Sequence, residues 1–117
     1  MIPLLLGVGA ALGGYLVASN WKDVENWLMK ELLNPNSKLK TALKDAGIND
    51  YAEKIFANVN GNKIRFVHKI HYKKNGKWSE KTTVREIDES EVPAWAKEGL
   101  TVKEKDVTER YAKELSV

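Results

Sequence analysis

His68 and His71 are the only side chains in this chain of 117 residues that ordinarily titrate near neutrality. They stand three apart in a stretch that alternates apolar and polar residues. A strand there turns them to opposite faces, so they are not expected to share a metal ion. His68 falls on the apolar face with Phe66 and Ile70 and is expected to be half-buried and hydrogen-bonded. His71 is expected opposite Glu80 as a surface pair of little energetic weight. The chain has no cysteine, which removes disulfides and thiolate metal sites.

Carboxylates gather at Glu86, Asp88, Glu89 and Glu91. Acids there suit the start of a helix, and their spacing singles out no acid–base pair. The serines sit in cap and turn contexts without a nucleophile elbow. Glycines outside the first twenty residues are isolated, so no loop is built to cradle phosphate. The residues therefore point away from an enzyme and imply no cofactor or metal.

Charge is more informative. Residues 63–85 carry eight bases against Glu80 alone, a net +7, whereas residues 86–117 carry nine acids against five bases, a net −4. A basic block followed by an acidic one outweighs the whole-chain value of +3 as a clue to partners. Lys69, His71, Lys73, Lys74, Lys77 and Trp78 form the candidate binding surface, with bases beside aromatic rings. Its expected ligands are nucleic acid, anionic lipid or an acidic protein, set against a solvated arm offset by the chain's own acids.

These residues need a hairpin to position them. Ile64, Phe66, His68, Ile70 and Tyr72 alternate with polar neighbours, and Asn75-Gly76 supplies the two positive-φ positions of a tight turn. A two-residue turn pairs Tyr72 with Ser79, His71 with Glu80, Lys69 with Thr82, Val67 with Val84 and Arg65 with Glu86. That register places opposite charges across from one another. Before the hairpin, Trp21, Val24, Trp27, Leu28 and Leu32 follow helical spacing over 20–33. Ser37 caps a helix that Gly47 ends, and Asp50 with Glu53 resembles a capping box, so 37–58 is expected to be helical. After the hairpin, a short helix begins at Ser90 and closes at Gly99, residues 100–103 add a third strand, and Asp106 opens a last helix.

The first twenty residues carry no charge and include Gly7, Gly9, Gly13 and Gly14. A helix over 2–19 would measure roughly 27 Å, close to the bilayer hydrocarbon core, and it has no polar face. The sequence therefore predicts a transmembrane anchor over 1–20 and a small domain over 21–117. Gly9 with Gly13 and Ala10 with Gly14 form small-residue pairs at the spacing of a helix-packing motif. Tyr15, Trp21 and Trp27 suit the membrane interface, although Trp21 and Trp27 suit a core equally well. The rivals are a cleaved signal peptide, a helix buried in an assembly, and a glycine-zipped pore.

The expected fold is α+β: an N-terminal transmembrane helix, then a small domain with an antiparallel β-hairpin, a third strand and several short helices. Lys22, Lys30, Lys38 and Lys40 flank the anchor and place that domain in the cytoplasm. The expected function is a single-pass, membrane-anchored accessory or adaptor protein whose cytosolic domain binds a protein partner. Its expected partners are the membrane, and a protein or further copies of itself met through the N-terminal helix. Two other readings stand beside it: a glycine-zipper oligomer active in membranes, and a basic hairpin binding nucleic acid or anionic lipid.

Overall fold

The computed structural model describes residues 14–29 and 38–115, with the side chains of residues 14, 15, 38 and 39 left aside. Its centre is a meander of three long strands, β2 (Tyr51–Asn60), β3 (Lys63–Lys74) and β4 (Lys77–Asp88). Both connections are two-residue turns. Gly61 supplies the positive φ of the first, at 63°, and Asn75 and Gly76 supply 54° and 78° in the second. The two left-handed residues of a type I′ turn match the twist of the flanking strands. All five strand pairs expected across the β3–β4 hairpin are present.

A short strand, β1 (Gly14–Val17), lies parallel to β4 and pairs Gly14 with Thr83 through Val17 with Glu86. On the opposite edge β5 (Lys105–Asp106) pairs with Phe56 and Ala57 of β2. The sheet order is β1-β4-β3-β2-β5.

One face of the sheet carries the core. Ile55 and Ala57 from β2, Ile64, Phe66 and Ile70 from β3, and Ile87 from β4 are all buried there. Helix α1 (Trp21–Asn26) starts where the Asn20 side chain accepts the Asp23 N–H, and continues as a π turn over 27–29. It delivers Val24, Trp27 and Leu28 to the core. Helix α2 (Lys38–Asp45) delivers Leu43, and Gly47 ends it at φ 77°, as its position predicts. Helices α3 (Ala94–Lys97) and α4 (Thr108–Glu114) contribute Ala96 and Tyr111, and the Tyr111 hydroxyl donates to the Ala96 carbonyl at 2.6 Å. Trp21, Phe66, Trp95 and Tyr111 form a ring of tilted and edge-on contacts with centroids 5.1–6.1 Å apart.

The N-terminal expectation is overturned. Residues 14–17 are a strand of the sheet, and the Ala18 N–H donates to the Glu86 carbonyl at 2.7 Å with Ala18 in the core. A continuous helix over 2–19 is incompatible with that pairing. No helix among the described residues is long and apolar enough to cross a membrane. The transmembrane part of the fold, the single-pass placement with its cytoplasmic orientation, and the membrane-anchored adaptor fall with it. So does partnering, with membrane or further copies, through an N-terminal helix. Gly9, Ala10 and Gly13 lie outside the described residues. Gly14 is in β1, so the expected Ala10–Gly14 helical ridge and the glycine-zipper oligomer lose their basis. The hairpin as a lipid- or nucleic-acid-binding end of an anchored domain goes too. The physical reason is plain: an uncharged apolar run can pair as a sheet strand as readily as it can enter lipid, and hydropathy does not distinguish the two; here Ala18 is buried while Leu16 and Val17 stay exposed.

Two further differences concern the meander. Residues 51–60 form a strand, not a helix, because Ile55, Ala57 and Val59 alternate onto the core face beside His68, Phe66 and Ile64. The adjacent pair Ile55-Phe56 and the Asp50/Glu53 spacing mimic a helix start. The expected strand at 100–103 is displaced to 105–106, although the Thr101 carbonyl accepts the Val59 N–H at 2.7 Å.

Candidate functional site

Polar side chains with chemical potential occur in three places: beneath α2, on the open face of the sheet, and at the end of the β3–β4 hairpin.

Beneath α2, β2 places Glu53 and β3 places His68 on the core face, two register positions apart along the ladder. The Glu53 Oε2 lies 3.1 Å from His68 Nε2, and its Oε1 lies 2.7 Å from Lys40 Nζ of α2. Burial alone would raise the Glu53 carboxyl. Hydrogen bonds from His68 and Lys40, with the Lys40 and His68 charges, outweigh it and hold the group below the usual carboxylate range. A carboxylate orienting a histidine is also the arrangement that prepares a general base. Such a base needs its other nitrogen open to substrate. His68 is fully buried rather than half-buried, and its enclosed Nδ1 has no hydrogen-bond partner. The trio therefore ties α2 to the sheet and presents no ring nitrogen to solvent.

The opposite face of the sheet bears a groove of about 370 Å³ lined by Ala52, Lys54, Phe56, Lys69, His71 and Glu80. Its charges are already matched. Lys54 lies 3.5 Å from Asp106, Lys69 3.5 Å from Glu104, and His71 3.7 Å from Glu80. The Lys69 ammonium also sits 5.1 Å from the centre of the Phe56 ring. Deeper on this face Glu86 pairs with Arg65 at 3.6 Å and accepts from Asn60 at 2.8 Å. Among the described residues no three His, Asp or Glu side chains come together as a metal site.

The hairpin end differs. Lys73, Lys74, Lys77 and Lys81 make no ion pair among the described residues, whereas Lys40, Lys54, Arg65 and Lys69 each do. Lys74 stands directly across from Lys77, and Lys73 across from Trp78. Trp78 is 61% exposed, unusual for the largest apolar side chain. Residues 75–82 are all exposed, so this end projects beyond the layer of helices.

Of the surface expected from sequence, the structure brings Lys73, Lys74, Lys77 and Trp78 together on the projecting end. Lys69 and His71 lie at its base, in the groove. The three aromatic residues assigned to a membrane interface are elsewhere. Trp27 is buried with the Arg85 guanidinium 5.0 Å from its ring centre, Trp21 packs on Phe66 and Trp95, and Tyr15 lies in β1 beside Val84. The Lys40–Glu53–His68 trio is not evident from spacing. Period-2 alternation over 51–59 is the signal that puts Glu53 on the same face as His68. The chain matches no protein-family model, no curated protein and no solved structure.

Proposed function

We propose that this domain is a non-catalytic binding module whose contact surface is the projecting end of the β3–β4 hairpin. The observation that carries the reading is the contrast in charge pairing. Lys54 and Lys69 on the sheet and Lys40 of α2 are matched with Asp106, Glu104 and Glu53, while Lys73, Lys74, Lys77 and Lys81, gathered at the hairpin end, have no ion-pair partner among the described residues. Like charges facing one another across a ladder are destabilising, and an exposed tryptophan gives up the burial that its ring would otherwise gain. Both features are explained by a partner that covers them: tryptophan is a frequent anchor of binding hot spots, and unpaired lysines steer an oppositely charged surface. The one histidine–carboxylate pair that resembles catalytic machinery is enclosed beneath α2.

Selection from a displayed library of random linear peptides tests the reading. Peptides enriched on the intact domain should lose binding to a variant carrying Lys73→Glu and Trp78→Ala, while its thermal unfolding stays close to that of the parent. Enrichment of peptides that bind parent and variant equally, or of none, sinks the proposal.

A further inference from the structure

We infer that two copies of this chain associate by pairing the outer edge of β2 over residues 51–54 with itself, antiparallel, about a two-fold axis at Ala52.

The edge is set by the alternation of main-chain bonds along β2. Across the two-residue turn at Gly61, Asn60 and Lys63 exchange both bonds, and every second residue back along β2 then bonds to β3. The Lys73 N–H donating to the Asp50 carbonyl fixes the same phase at the far end. Tyr51, Glu53, Ile55, Ala57 and Val59 therefore turn their N–H and C=O groups away from β3. Three of the five are met there by the chain itself. The Val59 N–H donates to the Thr101 carbonyl, and Ala57 lies against β5. Ile55 accepts from the Val107 N–H and donates to the Thr108 hydroxyl. At Thr108 the chain leaves this lane to begin α4. Tyr51 and Glu53 lie past that point, and their outward main-chain groups have no partner among the described residues. Each copy thus presents two donors and two acceptors in line.

The occupant follows from symmetry and charge. In a pair centred on Ala52, Tyr51 of each copy exchanges both bonds with Glu53 of the other, and all the outward groups are used. The two Ala52 residues then face each other without exchanging bonds, where strands approach most closely and a small side chain fits. The next positions set Asp50 of each copy against Lys54 of the other, so one register makes the same opposite-charge contact twice. Asp50 has no ion pair among the described residues, and the exposed Lys54 stands 3.5 Å from Asp106. Moving the centre by one residue loses both contacts. Centred on Glu53, two carboxylates oppose each other; centred on Tyr51, Lys54 falls opposite the buried Ile48. At the end of the paired stretch lies a cleft of about 540 Å³ between Glu53, Lys54 and Asp106 and the first turn of α4, Thr108 to Arg110. The chain that enters β2 of the other copy through Asn49 arrives at this cleft, so the interface has room where the lane closes. Four main-chain bonds and two exposed ion pairs make a small interface, of the weak and concentration-dependent class.

Sedimentation of the full chain at increasing concentration, with amide exchange followed in the same samples, tests the pairing. A dimer should appear as concentration rises and slow exchange at Tyr51 and Glu53, leaving Ala52, whose N–H already bonds to β3, unchanged. Asp50→Lys should weaken association roughly tenfold, as should Lys54→Asp, and the two together should restore it. Both positions are exposed, so unfolding of these variants at low concentration should match the parent. A chain that stays monomeric at the highest concentration overturns the pairing. So does a dimer whose Tyr51 and Glu53 amides keep their exchange rates, or one that the double exchange of charge fails to restore. The surface is separate from the hairpin end, so Lys73→Glu with Trp78→Ala should dimerise like the parent. Loss of association in that variant would move the contact to the hairpin and end the proposal, whereas failure of the peptide selection bears only on the hairpin reading.

Discussion

Glu53 and His68 come from neighbouring strands and meet at 3.1 Å beneath α2, the histidine wholly enclosed and the carboxylate also held by Lys40 at 2.7 Å. The contact joins three elements that the chain contributes separately: a helix, and two strands of the meander.

Replacing Glu53 with glutamine should lower stability by about 1–3 kcal/mol at neutral pH, because Lys40 and His68 lose the charge that faces them. The effect should depend on pH with a definite sign. The Glu53 carboxyl is held below its ordinary 4.5 in the folded domain, so the folded state keeps it ionised where the unfolded chain binds a proton. Its contribution is complete above 4.5 and is lost as pH falls through the lower folded value. Asp88 is also held low by its bonds from Ser90, and Asp106, which burial alone would raise, is held low by bonds from Thr108 and by Lys54; both contribute to the same acid limb. The difference between parent and Glu53→Gln isolates the one carboxylate. Urea midpoints measured from neutral pH downward should converge as the solution becomes acid. Curves that run parallel would contradict the arrangement.

Tyr111 gives an alkaline counterpart. Burial pushes its hydroxyl well above the ordinary 10.0, with the nearby Arg110 charge opposing only part of that rise. The unfolded chain ionises near its ordinary value while the folded domain does not, so stability should fall as pH rises beyond about 10. Tyr111→Phe loses the 2.6 Å bond to Ala96 and should cost about 1–2 kcal/mol at neutral pH. The same variant should show a shallower alkaline decline, read from denaturant midpoints taken between about pH 9 and pH 11.

Ala18 and Trp78 should behave in opposite ways. Ala18→Asp places a carboxylate at a core position and should lower stability by at least about 2 kcal/mol. Trp78→Ala removes a much larger side chain from an exposed position and should stay within about 0.5 kcal/mol of the parent. Chemical denaturation of the two variants compares them directly. A silent Ala18→Asp would mean that the N-terminal strand does not belong to the folded core.

What could be read from the sequence was whatever is settled locally. Asn75-Gly76 and the alternation around it specify the β3–β4 hairpin and its register within about twenty residues, and Gly47 and Gly99 end their helices where expected. The failures lie where a distant partner decides. Residues 51–60 carry adjacent apolar side chains and a cap-like acidic pair, and only pairing with β3 makes a strand of them. The apolar N-terminal residues lack a polar face, and their partner in β4 lies beyond both α1 and α2 and the first two strands of the meander. Lys40 meets Glu53 because α2 docks on the sheet, a relation that no spacing along the chain encodes.

Because β1 pairs with β4, the earliest of the described strands must wait for the last long one. β2, β3 and β4 close through two-residue turns, the kind of contact that forms in microseconds. β1 instead closes a loop between residues 17 and 83, with a correspondingly larger entropic demand before its bonds form. During that interval Leu16 and Val17 lack their partner strand, and the growing sheet has a longer open edge than the finished one. Docking of β1 is therefore expected late in folding, so that changes at Ala18 accelerate unfolding more than they slow the formation of the meander. The time for which the finished domain stays folded is then governed by a four-residue strand at its margin, and less by the long hairpin at its centre.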